Sequence, residues 1–278
     1  GYEMYNETSF MMGDVLNNGN IINSGDDGIY VKTMKSIGAY MYGNATGVIG
    51  DIEFNYNVIN NSSSGCGINI ENIANFGYYM GNNASFIMGN ISLNFNVINS
   101  TEDGIFIHAD QFGYTMWDNA SFTMGHLMAN SNHINSSNGD GISSINKHIQ
   151  YFGYDMHGNA SILMRGITFN ANIINSSTGD GIYIDYIQYF GCNMSDDTKF
   201  SMGNIAFNDN NISSKYSGIE NSLEHFGEYL SDQAMFTMGD ITYDNNHANC
   251  TYGIAVNYMY GFGTPMSIVT SLHLGDIA

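Results

Sequence analysis

Proline is nearly missing from this chain: one residue, Pro265, in 278. No Pro-rich or Ser-rich linker divides the sequence, which argues for one domain. Positive charge is almost as scarce. Six basic residues (Lys32, Lys35, Lys147, Arg165, Lys199 and Lys215) stand against 26 acidic ones, for a formal charge of −20. Such a chain repels phosphate backbones and anionic lipid, which argues against nucleic-acid and membrane-surface partners. No apolar run approaches the roughly 20 residues that a spanning helix needs. Cys66, Cys192 and Cys250 fall at unrelated repeat positions, so they are not a CxxC metal site. Their odd number leaves at least one free or paired to another chain, and they read as small buried hydrophobes. An initiator Met and an apolar leader are absent too: either a signal peptide was removed, which suits a secreted chain, or the ends were trimmed. Ala, Leu, Lys and Glu are too sparse for helical repeats, and Thr is too sparse for the regular arrays of ice-binding solenoids. No GxSxG, P-loop or Rossmann fingerprint occurs.

What is present is repetition. Gly1-Tyr2-Glu3-Met4 returns as Gly38-Ala39-Tyr40-Met41, Gly77-Tyr78-Tyr79-Met80 and Gly113-Tyr114-Thr115-Met116. It continues at Gly153, Gly191, Gly227 and Gly263, with spacings of 37, 39, 36, 40, 38, 36 and 36 residues. The copies are 1–37, 38–76, 77–112, 113–152, 153–190, 191–226, 227–262 and a partial 263–278. Within a copy, period-two alternation (Phe86-Ile87-Met88, Ile105-Phe106-Ile107) predicts short strands, and Asn, Gly, Asp and Ser clusters predict the turns between them.

A four-strand propeller blade has a similar period, but Trp117 is alone and the half copy would lack a blade. An all-β parallel β-helix, or β-solenoid, of about seven and a half ~37-residue turns fits better. Stacked turns bring equivalent residues together, so columns should hold like side chains. They do: Ile29, Ile68, Ile105, Ile142, Ile182, Ile219, Ile254; Met12, Ile49, Met88, Met124, Met164, Met202, Met238, Leu274; and Ile37, Phe76, Phe112, Phe152, Phe190, Phe226, Phe262. The most distinctive column is polar: Asn20, Asn57, Asn96, Asn132, Asn172, Asn210 and Asn246, with a near-copy two residues earlier from Asn18 to Asp244. Side-chain amides both donate and accept, so these predict an Asn ladder. Two glycine columns, represented by Gly89 and Gly104, predict corners needing positive φ or close backbone approach.

The string Ile167-Thr168-Phe169-Asn170-Ala171-Asn172-Ile173-Ile174-Asn175, followed by Gly179-Asp180-Gly181-Ile182-Tyr183-Ile184, resembles the repeats of right-handed parallel β-helices. That pectate-lyase-like superfamily includes pectate lyases, tailspikes and archaeal adhesin-like surface proteins. The Asn-, Gly- and Tyr-rich, Lys-poor composition is most similar to archaeal cell-surface or sheath proteins of the class. The resemblance implies the fold and an extracellular setting. The longer repeat here leaves open whether one copy is one turn or more.

Candidate chemistry is thin beside this pattern. Asp27, Asp103, Asp140 and Asp180 precede the Gly-Ile corner, the last three in consecutive copies. They read as solvent-facing Asp-Gly turns, with Ca²⁺ binding at Asp103, Asp140 and Asp180 the alternative. Lyases of the resembling fold need a basic groove, which six scattered basic residues do not provide. A glycosidase needs two carboxylates about 5–10 Å apart, and Asp140 with Asp180 or Glu102 with Asp103 are the pairs to consider. The histidines, among them His108, His126, His133, His148 and His157, share no column in a linear alignment. Asn44, Asn83, Asn119 and Asn159, joined by Asn6, begin Asn-X-Ser/Thr triplets at one corner and are candidate glycosylation acceptors. Asn60, Asn99, Asn135 and Asn175 do the same at another.

No capping unit is evident at either end, and open strand edges recruit other chains. The expectation is a non-enzymatic extracellular subunit, without metal or cofactor, that self-assembles into a sheath, surface layer or filament. A carbohydrate-active enzyme and a glycan-binding adhesin are the rivals.

Overall fold

The computed structural model describes residues 1–61, 63–144, 148–263 and 271–273. Pro265, Met266, Leu274, Gly275 and most of the partial eighth copy lie outside the described residues. Within them the chain is all β, with no helix, wound into a parallel solenoid of about seven coils.

One copy is one coil. In coil 3 the chain runs through Tyr79–Met80, Ser85–Met88, Ile91–Ser92, Val97–Ser100 and Ile105–Phe112. Each strand pairs in parallel with its equivalents above and below: Phe86 with Gly47 and Phe122, Ile98 with Ile59 and Ile134. Four parallel sheets result among the described residues. The first has five strands and starts at Glu3–Met4; the second has thirteen and starts at Ser9–Met12; the third has seven, from Ile21–Ser24 to His247–Asn249; the fourth has nine and starts at Ile29–Val31.

Alternation decides which side chains enter. In Ser85–Met88, Phe86 and Met88 are buried while Ile87 is exposed. Several inner columns then rest like on like, while others mix types, as where Phe122 pairs with Ile162. The rings of Phe76, Phe112, Phe152, Phe190 and Phe226 are buried and stack with centroids 4.7–5.4 Å apart. Stacked pairs of this kind contribute roughly 0.5–1.5 kcal/mol each beyond their buried area. Met88, Met124, Met164, Met202 and Met238 form a second buried column, as the sequence predicts.

Each coil turns at corners held in the left-handed backbone region. One corner column is Gly19, Tyr56, Phe95, Ser131, Ala171, Asp209 and Asn245, all with φ between 54° and 70°. Bulky Tyr56 and Phe95 are outliers there for L-residues. They are held by amide ladders on both sides. On one side, Asn96 donates from its backbone N and its Nδ2 to Asn132 Oδ1, at 2.9 and 3.0 Å, and its second Nδ2 hydrogen goes to Phe54 O. The same pattern joins Asn20, Asn57, Asn132, Asn172, Asn210 and Asn246. On the other side the direction reverses: Asn94 N donates down to Asn55 Oδ1, and Asn130 N to Asn94 Oδ1, both at 2.7 Å. Two ladders of opposite polarity thus clamp each turn to both neighbours.

The glycine columns divide the two expected roles. Gly104 is needed for close approach: a Cβ there would lie 2.1 Å from Ile134 Cγ2 and 2.5 Å from Gly141 O. Positive φ falls instead on glycines that open the later copies, as at Gly77 with φ 56°, and among the described members of the two columns on Gly166 and Gly253 alone.

Asn132→Ala removes the acceptor for two buried donors of Asn96, so it should destabilise the fold by about 2–4 kcal/mol. The same truncation at exposed Asn99 should cost under about 0.5 kcal/mol. Urea unfolding followed by circular dichroism separates the two outcomes.

Candidate functional site

The aspartates before the Gly-Ile corner are not solvent-facing turns. Asp140 is 4% exposed. Each carboxylate reaches the next coil: Cys66 N donates to Asp27 Oδ1 at 2.7 Å, Asp140 N to Asp103 Oδ1 at 2.8 Å and Asp180 N to Asp140 Oδ1 at 2.7 Å. The column is therefore a third ladder, with carboxylate in place of amide. The second oxygens are satisfied by whatever the neighbouring outward column supplies. Asn69 Nδ2 donates to Asp27 Oδ2 at 2.9 Å, and Ser143 Oγ donates to Asp103 Oδ2. In coil 5 that column holds Tyr183, and the buried Asp140 Oδ2 has no partner.

Burial accordingly pushes the Asp140 carboxyl up to about 7, with Asp103, Asp180 and Glu220 adding repulsion and the Asp180 N–H opposing it. Burial also raises Asp103 and Asp180, against hydrogen bonds that lower them. Among the described residues, no group of three or more His, Cys, Asp or Glu is placed to hold a metal ion. Beside the ladder runs an open groove of about 630 Å³, lined by Ser63, Ser64, Thr101, Glu102, Asp140 and Thr178 among others.

A second cluster lies on the fourth sheet. Ala109 pairs with Ile149, which places His108 beside His148 in adjacent coils. The linear alignment hides this, because seven residues separate Ile142 from Ile149 where four separate Ile105 from Ala109. His108 lies 3.9 Å from Asp110 and His148 lies 4.0 Å from Asp185. Burial pushes the Asp110 carboxyl up to about 7 and lowers His148. Further along, His225 Nδ1 meets the buried Glu228 at 2.7 Å, its Nε2 meets Tyr260 Oη at 3.3 Å, and its ring stacks on Tyr189 at 4.5 Å. Both imidazole nitrogens are engaged, so this group is braced.

His225 also belongs to a continuous aromatic ribbon, and its edge-on contact with Tyr260 at 5.0 Å carries the ribbon one coil further. Tyr2, Tyr40, Tyr79, Tyr78, Tyr114, Tyr151, Tyr189 and His225 succeed one another with centroids 4.4–5.6 Å apart. The ribbon crosses between columns at Tyr78–Tyr79 and Tyr114–Tyr151, which is why no single sequence column reveals it.

Of the candidate glycosylation residues, Asn44, Asn83, Asn119 and Asn159 share one exposed column, in which each amide from Asn83 onward donates to the coil before at 3.0–3.1 Å. Asn6 does not join them. It aligns with Gly43, one residue earlier, in a left-handed corner at φ 58°. Asn60, Asn99, Asn135 and Asn175 form a second outward ladder at 2.8–2.9 Å. The cysteines are all free. Cys66 and Cys192 are buried, and burial pushes the Cys192 thiol up to about 12. No helix among the described residues is long and apolar enough to cross a membrane. No family model, curated protein or solved structure matches the chain.

A carboxyl held above its ordinary value keeps a proton that the unfolded chain has already released. Its stabilising contribution is present in acid and is lost as pH rises from the ordinary carboxylate range through about 7 for Asp140. Asp140→Asn keeps an acceptor for Asp180 N–H. The variant should hold its melting temperature better than the parent between about pH 5 and 8. The slope left by Asp110 should remain. Thermal melts across that range check this.

Proposed function

We propose that this chain is a secreted structural subunit of a cell-surface sheath, layer or filament, built on a right-handed β-helix of the pectate-lyase-like kind. One observation carries the reading: the outer surface repeats itself at every coil. Exposed amide ladders run along two faces, and aromatic rings run along a third. A surface with a repeat of about 4.8 Å fits best against a partner that repeats in the same way, and another copy of the chain is the simplest such partner. The ladder carboxylates support this reading too, because they are committed to backbone N–H groups of the next coil. The Asn- and Tyr-rich, Lys-poor composition agrees with the surface-protein class that the repeats resemble. Purified chain brought to rising concentration should form ordered fibres or sheets in negative-stain electron microscopy. Persistent monomers at every concentration would refute the proposal.

The groove beside Asp140 favours a second reading, a carbohydrate-active or glycan-binding protein. Its hydroxyl, amide and carboxylate lining offers both donors and acceptors to a sugar. On this reading a panel of neutral and acidic glycans would show saturable binding weakened by Thr101→Ala. Turnover abolished by Asp140→Asn would mark an enzyme, and binding without turnover an adhesin. Absence of binding across the panel removes the second reading.

A further inference from the structure

The third sheet differs from the rest of the surface in one respect: its strands carry no charged Asp, Glu, Lys or Arg. They read IINS, VINN, VINS, HINS, IINS, NISS and HAN from coil 1 to coil 7. Every other sheet has charged residues in its strands: Glu3 and Asp155 in the first, Glu53 and Lys199 in the second, Glu71, Asp110 and Asp185 in the fourth. In a chain of net charge −20, two copies approaching through those faces bring carboxylates together. The third sheet is the face on which a second copy meets no like charge within the strands.

The same strands have the other marks of a self-pairing surface. Two outward columns run side by side along the sheet. One is apolar over much of its length, with Ile21 78%, Val58 36%, Val97 41% and Ile173 46% exposed. The other is the amide ladder Asn23, Asn60, Asn99, Asn135, Asn175, whose hydrogen bonds measure 2.8–3.2 Å. Tyr56 and Phe95, stacked at 4.9 Å and both exposed, widen the strip at its edge. In-register columns of identical side chains with an Asn ladder and low charge are what pair two sheets face to face, at about 10 Å, in a dry interface.

We propose that the third sheet is a homotypic interface whose occupant is the third sheet of a second copy, related by a two-fold axis parallel to the strands. The inference rests on the structural-subunit reading and names the surface that reading leaves open. That axis leaves each column facing itself, with apolar against apolar at Val97 and Ile173, apolar against polar where Ile21 meets His247 and Val58 meets Asn211, and amide against amide at Asn99, Asn135 and Asn175, and it makes the two solenoids run in opposite directions. The alternative axis, along the solenoid, sets apolar against amide. Full overlap centres the pair on coil 4, where His133 faces its own copy, and it sets Val97 against Ile173 of the second copy and Asn99 against Asn175. The strip is four residues by seven strands, roughly 400 Å² per partner, about half of a standard interface. One such contact is therefore weak and reversible, and it strengthens where many subunits are joined.

Sedimentation velocity across a concentration series, on unglycosylated protein, tests the geometry. The parent chain should show concentration-dependent association. Val97→Glu should weaken it at least about tenfold, because the carboxylate is buried against Ile173 of the second copy. Leu163→Glu, on the exposed face of the second sheet, should leave association unchanged. Val97→Glu combined with Ile173→Lys should restore it, since opposite charges then meet across the two-fold axis. Thermal melts confirm that each variant is folded. A monomeric parent overturns both this inference and the structural-subunit reading. A parent that associates, with Val97→Glu associating equally well, overturns this inference alone and sends assembly to another face. Loss at Val97→Glu without rescue by the pair overturns the antiparallel register.

Discussion

Everything in this molecule depends on one coil lying directly on the next. The parallel ladders place residue n over its equivalent one copy later, so many side chains, such as Ile59, Ile98 and Ile134, have their own kind as a direct neighbour. That constraint selects residue types whose like-with-like contact is favourable. Phenylalanine stacks, isoleucine and methionine interdigitate, and asparagine both donates to and accepts from another asparagine. Carboxylate does not share this property, and the column of Asp103, Asp140 and Asp180 bears the cost. It survives by turning one oxygen to a backbone N–H, and where no donor is supplied for the other oxygen the carboxyl titrates near neutrality.

The corners show how the constraint is enforced. A left-handed residue in every coil would be a weak point if its backbone were held from one side only. Two amide ladders of opposite direction grip it from both sides, so bulky Tyr56 and Phe95 are accommodated where Gly or Asn would be the ordinary choice. The uniformity that stabilises the interior also makes the exterior periodic. The strands of the third sheet carry none of the 26 acidic residues, and the proposed pairing of two copies rests on that periodic face.

Much of this was legible in the residue order. The inner columns could be read because burial and repetition select the same residues at the same phase: Ile105 is buried as its alternation predicts, and Phe112 as its recurrence in the column predicts, although the left-handed Gln111 breaks the alternation between them. The amide column from Asn20 to Asn246 was equally plain, since amides recurring at one phase have few uses other than stacking. Two features were hidden. His108 and His148 become neighbours only after a difference in coil length is absorbed, which a fixed repeat count cannot see. Asn6 was legible as an outlier, since it stands five residues after Gly1 where Asn44 stands six after Gly38. The aromatic ribbon crosses from one column to another through Tyr78–Tyr79, and no column-by-column reading traces a diagonal.

Residue order alone therefore determined the period, the strand alternation and which side chains face inward, because these come from local pattern and from the rule that like stacks on like. Tertiary structure decided the rest. It set the opposite directions of the two amide ladders, the burial of Asp140 with one oxygen unpartnered, and the gathering of seven uncharged strands onto one sheet. Those outcomes depend on how far the backbone travels between corners and on which column comes to lie beside which. That is a matter of distance across the coil, and the order of residues along the chain does not contain it.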